Sequence, residues 1–316
     1  MLKVAILDDY QEAALRSAPW SKLAETEVIT FTQYIADQHS LVETLLPFDV
    51  IVAMRERTPF PASLLAKLPN LKLLVTTGMR NLAIDMEYAR KNNIDVCGTD
   101  MISHSTYEHA WALILALSKN ITQDNALLHN GGWQASTSIG LKGKTLAILG
   151  LGRLGKEVAR IGQAFGMNVI AWSQNLTAEK AAEHQVTWVD KHQLFRQADI
   201  LSIHLLLSDR TRGIVGEQEL ALMKPEAYLV NTARGPIVDE EALLNVLKNK
   251  QIAGAAIDVY EVEPLPIDHP IRKLDNAILT GHTGYVVKEL YEKAYGQAIE
   301  NIQAWQNGQP QRVLNP

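Results

Sequence analysis

Short apolar runs alternate along the chain with stretches whose apolar residues recur at helical spacing. Val4–Leu7, Val28–Phe31, Val50–Met54 and Leu71–Val75 read as buried strands, with Val96–Gly98 a shorter fifth. Ala13–Trp20, Leu41–Leu46, Ala62–Leu68 and Ile84–Lys91 supply helices between them. This β-α-β rhythm predicts a parallel sheet with helices on both faces. A second series follows, with strands at Thr145–Leu149, Val169–Trp172, Ile200–Leu205, Tyr228–Asn231, Ala253–Val259 and Ala277–Thr280. Between the two series, Ser105–His129 carries Trp111, Ile114, Leu115, Leu117, Ile121 and Leu127 at helical spacing. It predicts one long helix, ended by Gly131-Gly132-Trp133. The chain closes on a helical pattern over Lys288–Gln306.

The sharpest local signal lies at the start of the second series. Lys144–Leu149, a strand, runs into Gly150-Leu151-Gly152-Arg153-Leu154-Gly155, and a helical pattern follows through Val158, Ala159, Ile161, Ala164 and Phe165. A G-x-G-x-x-G turn between strand and helix predicts a dinucleotide site. Gly150 permits the tight turn, Gly152 lets backbone approach the pyrophosphate, and Gly155 lets the helix pack on the strand. Arg153 and Leu154 open the helix, whose unpaired N–H groups face the phosphates. The next strand ends at Ser173, where an NAD site usually carries Asp or Glu for the ribose. Ser173, Gln174 and Asn175 hold no carboxylate to repel a 2′-phosphate, and no arginine stands beside Ser173, so NAD and NADP both remain open.

Because this turn sits at mid-chain, we expect two α/β domains: a smaller one from residues 1–100 and 284–316, and a dinucleotide-binding Rossmann domain over 101–283. Each should be a doubly wound parallel sheet, the smaller one flavodoxin-like. At 47% apolar, the 316 residues suffice for two cores. A net charge of −5 with no basic block gives no reason to expect nucleic acid as a partner. Cys97 is the only cysteine, which excludes an intrachain disulfide and a cysteine-built zinc site. Met1–Asp9 reads as a strand, not a leader, and no segment has the apolar length of a membrane span. A cytoplasmic protein with no membrane partner is the expectation. The long helix bears more apolar residues than one face needs, so a homodimer through Trp111, Leu115 and Leu117 is expected.

Three titratable or charged residues follow late strands: Arg234 after Leu229–Ala233, Glu263 after Asp258–Val262, and His282 after Ile278–Gly281. Ligands of open α/β sheets bind beyond the carboxyl ends of strands. Reducing a 2-oxo acid needs a proton for the nascent alkoxide, which a histidine supplies near neutral pH. A carboxylate beside it holds the ring. A guanidinium can span the substrate's carboxylate and carbonyl oxygen with paired donors and polarise the carbonyl.

These motifs together resemble the D-isomer-specific 2-hydroxyacid dehydrogenases. Asn231–Asp239 resembles the family's arginine motif, Asp258–Pro264 its glutamate motif, and His282-Thr-Gly284 its histidine motif. Ile203-His204, with Thr211 and Gly213, is similar to its cofactor-lining segment. The resemblance implies that Arg234 orients substrate, Glu263 supports His282, and His282 is the acid/base. It places Thr232 and Asp258 near the nicotinamide and His204 against the cofactor. It also implies that Thr77, Gly78 and Met79 hold the substrate carboxylate by backbone N–H groups. Glu108-His109 is similar to the pair that opens the long helix and reads as structural. Arg55 and Arg57 stand where phosphoglycerate dehydrogenases bind substrate; they hold a phosphate or carboxylate, or pair with Glu56 in a solvated loop. Gly281 stands where proline is common, and Tyr285 where a small residue is usual. The family implies a small 2-hydroxy or 2-oxo acid as substrate. A reading from another class is a dinucleotide-sensing binding protein, similar to co-repressors of this fold, without significant turnover.

Overall fold

The computed structural model describes residues 1–316. Residues Met1–Ile102 and Val286–Pro316 form one compact unit and Ser103–Tyr285 another. In chain order the first unit contains β1 (Leu2–Ile6), α1 (Ala14–Ser17), β2 (Thr26–Thr30), α2 (Gln38–Leu45), β3 (Val50–Ala53), α3 (Ala62–Leu65), β4 (Leu73–Thr76), α4 (Met86–Lys91) and β5 (Asp95–Gly98). The second opens with α5 (His104–Ser118) and α6 (Ile121–His129), then β6 (Thr145–Leu149), α7 (Arg153–Ala164), β7 (Asn168–Trp172), α8 (Ala178–Ala182) and β8 (Thr187–Trp188). It continues through α9 (Lys191–Gln197), β9 (Ile200–Ile203), α10 (Glu217–Leu220), β10 (Tyr228–Asn231), α11 (Glu240–Lys248), β11 (Gly254–Ile257) and β12 (Ala277–Leu279). The last helix, α12 (Lys288–Gln306), returns to the first unit.

Both sheets are wholly parallel. The first has the order β2-β1-β3-β4-β5, the second β12-β11-β10-β9-β6-β7-β8. Strands β3, β4, β9 and β11 are buried at every residue, as parallel strands covered on both faces must be. The α/β expectation holds, as two doubly wound sheets. The order reverses between β6 and β9, the position at which such sheets open a crevice for ligands. No helix is long and apolar enough to cross a membrane.

In the first unit α12 packs on α1 and β4. Tyr295 meets Trp20 and Tyr291 edge to face, with ring centroids at 6.0 and 5.6 Å. Asn301 donates to the Gly98 carbonyl at 2.8 Å, tying α12 to the end of β5. Helix α1 is shorter than the apolar pattern suggests because Ala18 is extended before Pro19.

The single long helix expected over Ser105–His129 is two. Asn120, at φ +53°, takes the left-handed conformation that asparagine tolerates, and the ladder stops there. Lys119 instead reaches across to the Ile139 carbonyl at 2.6 Å. Beyond the break α6 buries no residue, so no core contact rewards a continuous helix. The apolar surplus is also placed differently. Trp111 and Leu117 are buried within the chain, and Trp111 stacks on Phe165 at 4.9 Å and donates to the Val158 carbonyl. The exposed apolar side chains are Ile121 and Leu128 of α6 and Trp133 just after it. The two-residue β8, exposed at both positions, is too short to register as a sequence pattern.

Candidate active site

The glycine turn leaves β6 at Gly150, whose φ of +106° no side chain would favour. A Cβ there would also sit 2.8 Å from the backbone of His204, because the turn crosses the end of β9. At Gly155 a Cβ would lie 2.1 Å from the Gly150 carbonyl. Both glycines are therefore required by the chain itself. Gly152 is not: it has an ordinary φ, and a Cβ would meet nothing within 4 Å. Its open space, next to the N–H groups of Arg153 and Leu154 at the start of α7, is what an incoming pyrophosphate needs.

Other residues around the sheet's carboxyl edge fit the same ligand. The Thr232 hydroxyl, just past β10, is buried with no partner within the chain, and buried hydroxyls are seldom left so. Ser173 is half-buried past β7, with Gln174 and Asn175 exposed beside it. His204 lies past β9, with Nε2 2.8 Å from the Ser202 hydroxyl. Burial pushes its pKa down to about 4, so its ring is neutral at neutral pH.

The three residues singled out after the late strands all lie in this unit. The Asn231 amide clamps the turn that carries Arg234: it accepts from Ala233 N–H at 3.0 Å and donates to the Arg234 carbonyl at 3.0 Å. Gly235, next along, lies so close to Tyr260 that the loops after β10 and β11 pack backbone to backbone. Glu263 is held at both oxygens. Oε1 accepts from Tyr260 N–H at 2.9 Å, and Oε2 lies 2.7 Å from His282 Nδ1. The imidazole and carboxylate are 23% and 32% exposed, so the pair is reachable from solvent. With Nδ1 committed to Glu263, Nε2 is the nitrogen left for proton exchange. Tyr285 is buried, its ring edge-on to His282 at 5.4 Å and 84°.

Asp258 occupies a more central place than a ligand contact requires. It is 1% exposed, and its carboxylate accepts from the Thr280 hydroxyl (2.6 Å), Thr283 N–H (2.8 Å) and Gly284 N–H (3.0 Å). His109 Nε2 lies 3.3 Å from the same carboxylate. Burial alone would push this carboxyl up, but the bonds from His109 and Thr280, the charge of His109 and the Thr283 N–H outweigh it and hold it below the ordinary value. Thr280 and Tyr260 carry no signal in the sequence, and His109, expected there only as a structural residue opening the long helix, proves to bond the carboxylate of the site. Their roles rest on contacts across up to 171 residues of chain, which no local spacing encodes.

In the first unit the loop after β4 carries Thr77, Gly78 and Met79. The N–H of Thr77 bonds the Ala53 carbonyl and that of Gly78 the Thr99 hydroxyl at 3.1 Å. Those two donors serve the loop itself, which narrows the expected backbone cradle to the N–H of Met79 and the residues after it. Arg55, past β3 at φ +52°, receives support from Thr77 and Asn81. Its guanidinium packs against Gly78 and pairs with Glu56 at 3.5 Å. Arg57 turns away to donate to the Asp8 carbonyl at 2.7 Å and to cover the Tyr10 ring at 4.4 Å.

Residues 111–284 match the family described as D-isomer specific 2-hydroxyacid dehydrogenase, NAD binding domain. The chain is 39% identical over 263 residues to a glyoxylate reductase of Aeropyrum pernix, covering 80% of this chain and 78% of that one. It is 35% identical over 320 residues to a D-3-phosphoglycerate dehydrogenase of Methanocaldococcus jannaschii, spanning all of this chain but 60% of that longer one. A solved phosphoglycerate oxidoreductase from Vibrio cholerae superposes with a TM-score of 0.92 at 38% identity, over 98% of this chain and 100% of that one.

Proposed function

The chain belongs to the D-isomer-specific 2-hydroxyacid dehydrogenases, and on that premise we propose that it interconverts a small unphosphorylated 2-oxo acid and its D-2-hydroxy acid, with Arg234, Glu263 and His282 carrying the chemistry. It is an NAD(P)-dependent oxidoreductase. The dinucleotide, when bound, supplies or accepts the hydride. Gly150, Gly152, Arg153, Leu154 and Gly155 would hold its phosphates, Ser173 its ribose, and Thr232, His204 and Asp258 the nicotinamide end. His282 delivers a proton from Nε2 to the carbonyl oxygen during reduction and takes it back during oxidation. Glu263 holds the ring by Nδ1, and Arg234 binds the substrate's carboxylate and carbonyl oxygens. The observation that carries this reading is the 2.7 Å contact between His282 Nδ1 and Glu263 Oε2 past the last strands of the dinucleotide-binding sheet.

The names of the relatives point to two substrates, glyoxylate and phosphoglycerate. The engagement of Arg57 with Asp8 and Tyr10, and of Arg55 with Glu56, favours the unphosphorylated class, because a phosphate would have to displace both sets of contacts. Initial rates with glyoxylate, hydroxypyruvate, pyruvate and phosphohydroxypyruvate, each with NADH and NADPH, test this. The highest kcat/KM is expected on one of the first three. A clear preference for phosphohydroxypyruvate refutes the substrate class, and no turnover on any refutes the enzyme reading in favour of a dinucleotide sensor. In the same assay Ser173→Asp should shift preference toward NADH by repelling a 2′-phosphate. Unchanged selectivity would remove Ser173 from the ribose site.

The assembly we propose is a homodimer through α6. No residue of this helix is buried within its own chain, while Ile121 and Leu128 stand exposed on it and Trp133 just beyond it. Sedimentation at micromolar concentration should give a dimer that Ile121→Glu with Leu128→Glu splits. A monomeric wild type defeats the proposal.

A further inference from the structure

His282 is held in an unfavourable backbone conformation. Its φ of +54° is left-handed, which a non-glycine residue adopts only where its surroundings over-determine it. Asp258 supplies that restraint three times over. Its carbonyl accepts from His282 N–H at 2.7 Å, Oδ1 accepts from Thr283 N–H, and Oδ2 accepts from Gly284 N–H. Three successive residues of the loop hang on one side chain and its own backbone, and a buried carboxylate asked to do this must itself be anchored.

We propose that His109 is the positioning residue that anchors it: from helix α5, its Nε2–H holds the Asp258 carboxylate and the Thr280 hydroxyl, and through them the backbone that presents His282. The direction of the bonds follows from proton counting. Thr280 has one hydroxyl hydrogen, and its 2.6 Å contact commits that hydrogen to Asp258 Oδ1. Thr280 can therefore only accept from His109, whose Nε2 lies 3.1 Å away, so Nε2 carries a hydrogen. The same N–H is shared with Asp258 Oδ1 at 3.3 Å. The ring also packs on the loop directly: a Cβ on Gly284 would sit 3.1 Å from Asp258 Oδ2 and 3.5 Å from His109 Cδ2. Glycine at 284 thus lets the imidazole close over the backbone it braces. His109 touches none of the reacting groups and acts through Asp258 and Thr280.

This role rests on His282 being the acid/base, so the test has one arm that needs no turnover. Long-range proton–nitrogen spectra of the histidine rings should show His109 protonated at Nε2. In His109→Ala the His282 ring signals should move and its Nδ1–H signal, held by Glu263, should broaden or vanish. Turnover should fall about 10- to 100-fold, the cost of displacing an aligned group. His109→Gln, whose amide nitrogen reaches the Nε2 position, should restore both the signal and kcat to within about threefold of wild type. Unmoved His282 signals in His109→Ala overturn the proposal, as does a His109→Gln variant that loses as much turnover as alanine. If no 2-oxo acid is turned over, the reading of His282 as acid/base fails, while the ring spectra still decide what His109 holds.

Discussion

His282→Ala is expected to lower turnover on the best 2-oxo acid by roughly 10²- to 10⁴-fold, the usual worth of a positioned acid or base. The loss should fall on kcat and not on coenzyme affinity. The phosphates are assigned to the turn at 150–155, and neither Gly150 nor Gly155 depends on the histidine for its conformation. Neither of the two other imidazoles described at the site, His204 and His109, is placed to substitute. His204 is driven neutral by burial, with a pKa of about 4, and so holds no proton to give near neutral pH. His109 spends its Nε2 hydrogen on Thr280 and Asp258. Arg234→Lys should instead act mainly on substrate KM, because an ammonium cannot reproduce the paired contacts of a guanidinium. The measurement is steady-state kinetics of both variants beside a fluorescence titration with NADH. Wild-type turnover in His282→Ala would remove the residue from the mechanism.

How much of this was legible in the residues depends on the range of the forces involved. The strands were, because a parallel strand buried on both faces must be apolar along its whole length, as Val50–Ala53 and Ile200–Ile203 are. The glycine turn was, because Gly150 and Gly155 answer local geometry. The break at Asn120 was not: the apolar spacing runs on through Ile121 and Leu127, and only the absence of a partner for α6 shows that it earns no burial. Trp111 misled for the same reason, since an apolar residue on a helix looks alike whether its partner is Phe165 or a second chain. The carboxylate of Asp258 and the N–H groups of Thr77 and Gly78 read as ligand contacts from their motifs. Only the folded chain reveals how fully each is bonded within the protein.

Gly235→Ala should damage the site far beyond the size of a methyl group. A Cβ at this position would lie 2.1 Å from the Tyr260 carbonyl carbon, 2.2 Å from its oxygen and 2.6 Å from the nitrogen of Glu261. These are backbone atoms, so no side-chain rotation relieves the contact, and the loops after β10 and β11 must part. Tyr260 cannot yield cheaply. Its single hydroxyl hydrogen lies between the carbonyls of Thr280 at 2.9 Å and Ile257 at 3.1 Å, and its N–H fixes Glu263 Oε1. Parting the loops therefore draws Arg234 one way and the Glu263–His282 pair the other. Overpacking of this kind costs about 1–3 kcal/mol, and more where backbone resists. In a unit of this size that is a fall in Tm of roughly 2–4 °C per kcal/mol. Turnover should drop at least about 100-fold, since a displacement near 1 Å suffices for that loss. Gly296→Ala provides the contrast. It lies within α12, where a Cβ would meet nothing within 4 Å. There the same methyl should be neutral or stabilising, by up to about 1 kcal/mol, because alanine favours a helix interior. Thermal unfolding and kcat of the two variants separate a crowded backbone from a generic glycine effect. Wild-type Tm and turnover in Gly235→Ala would show that the two loops are not held together as described.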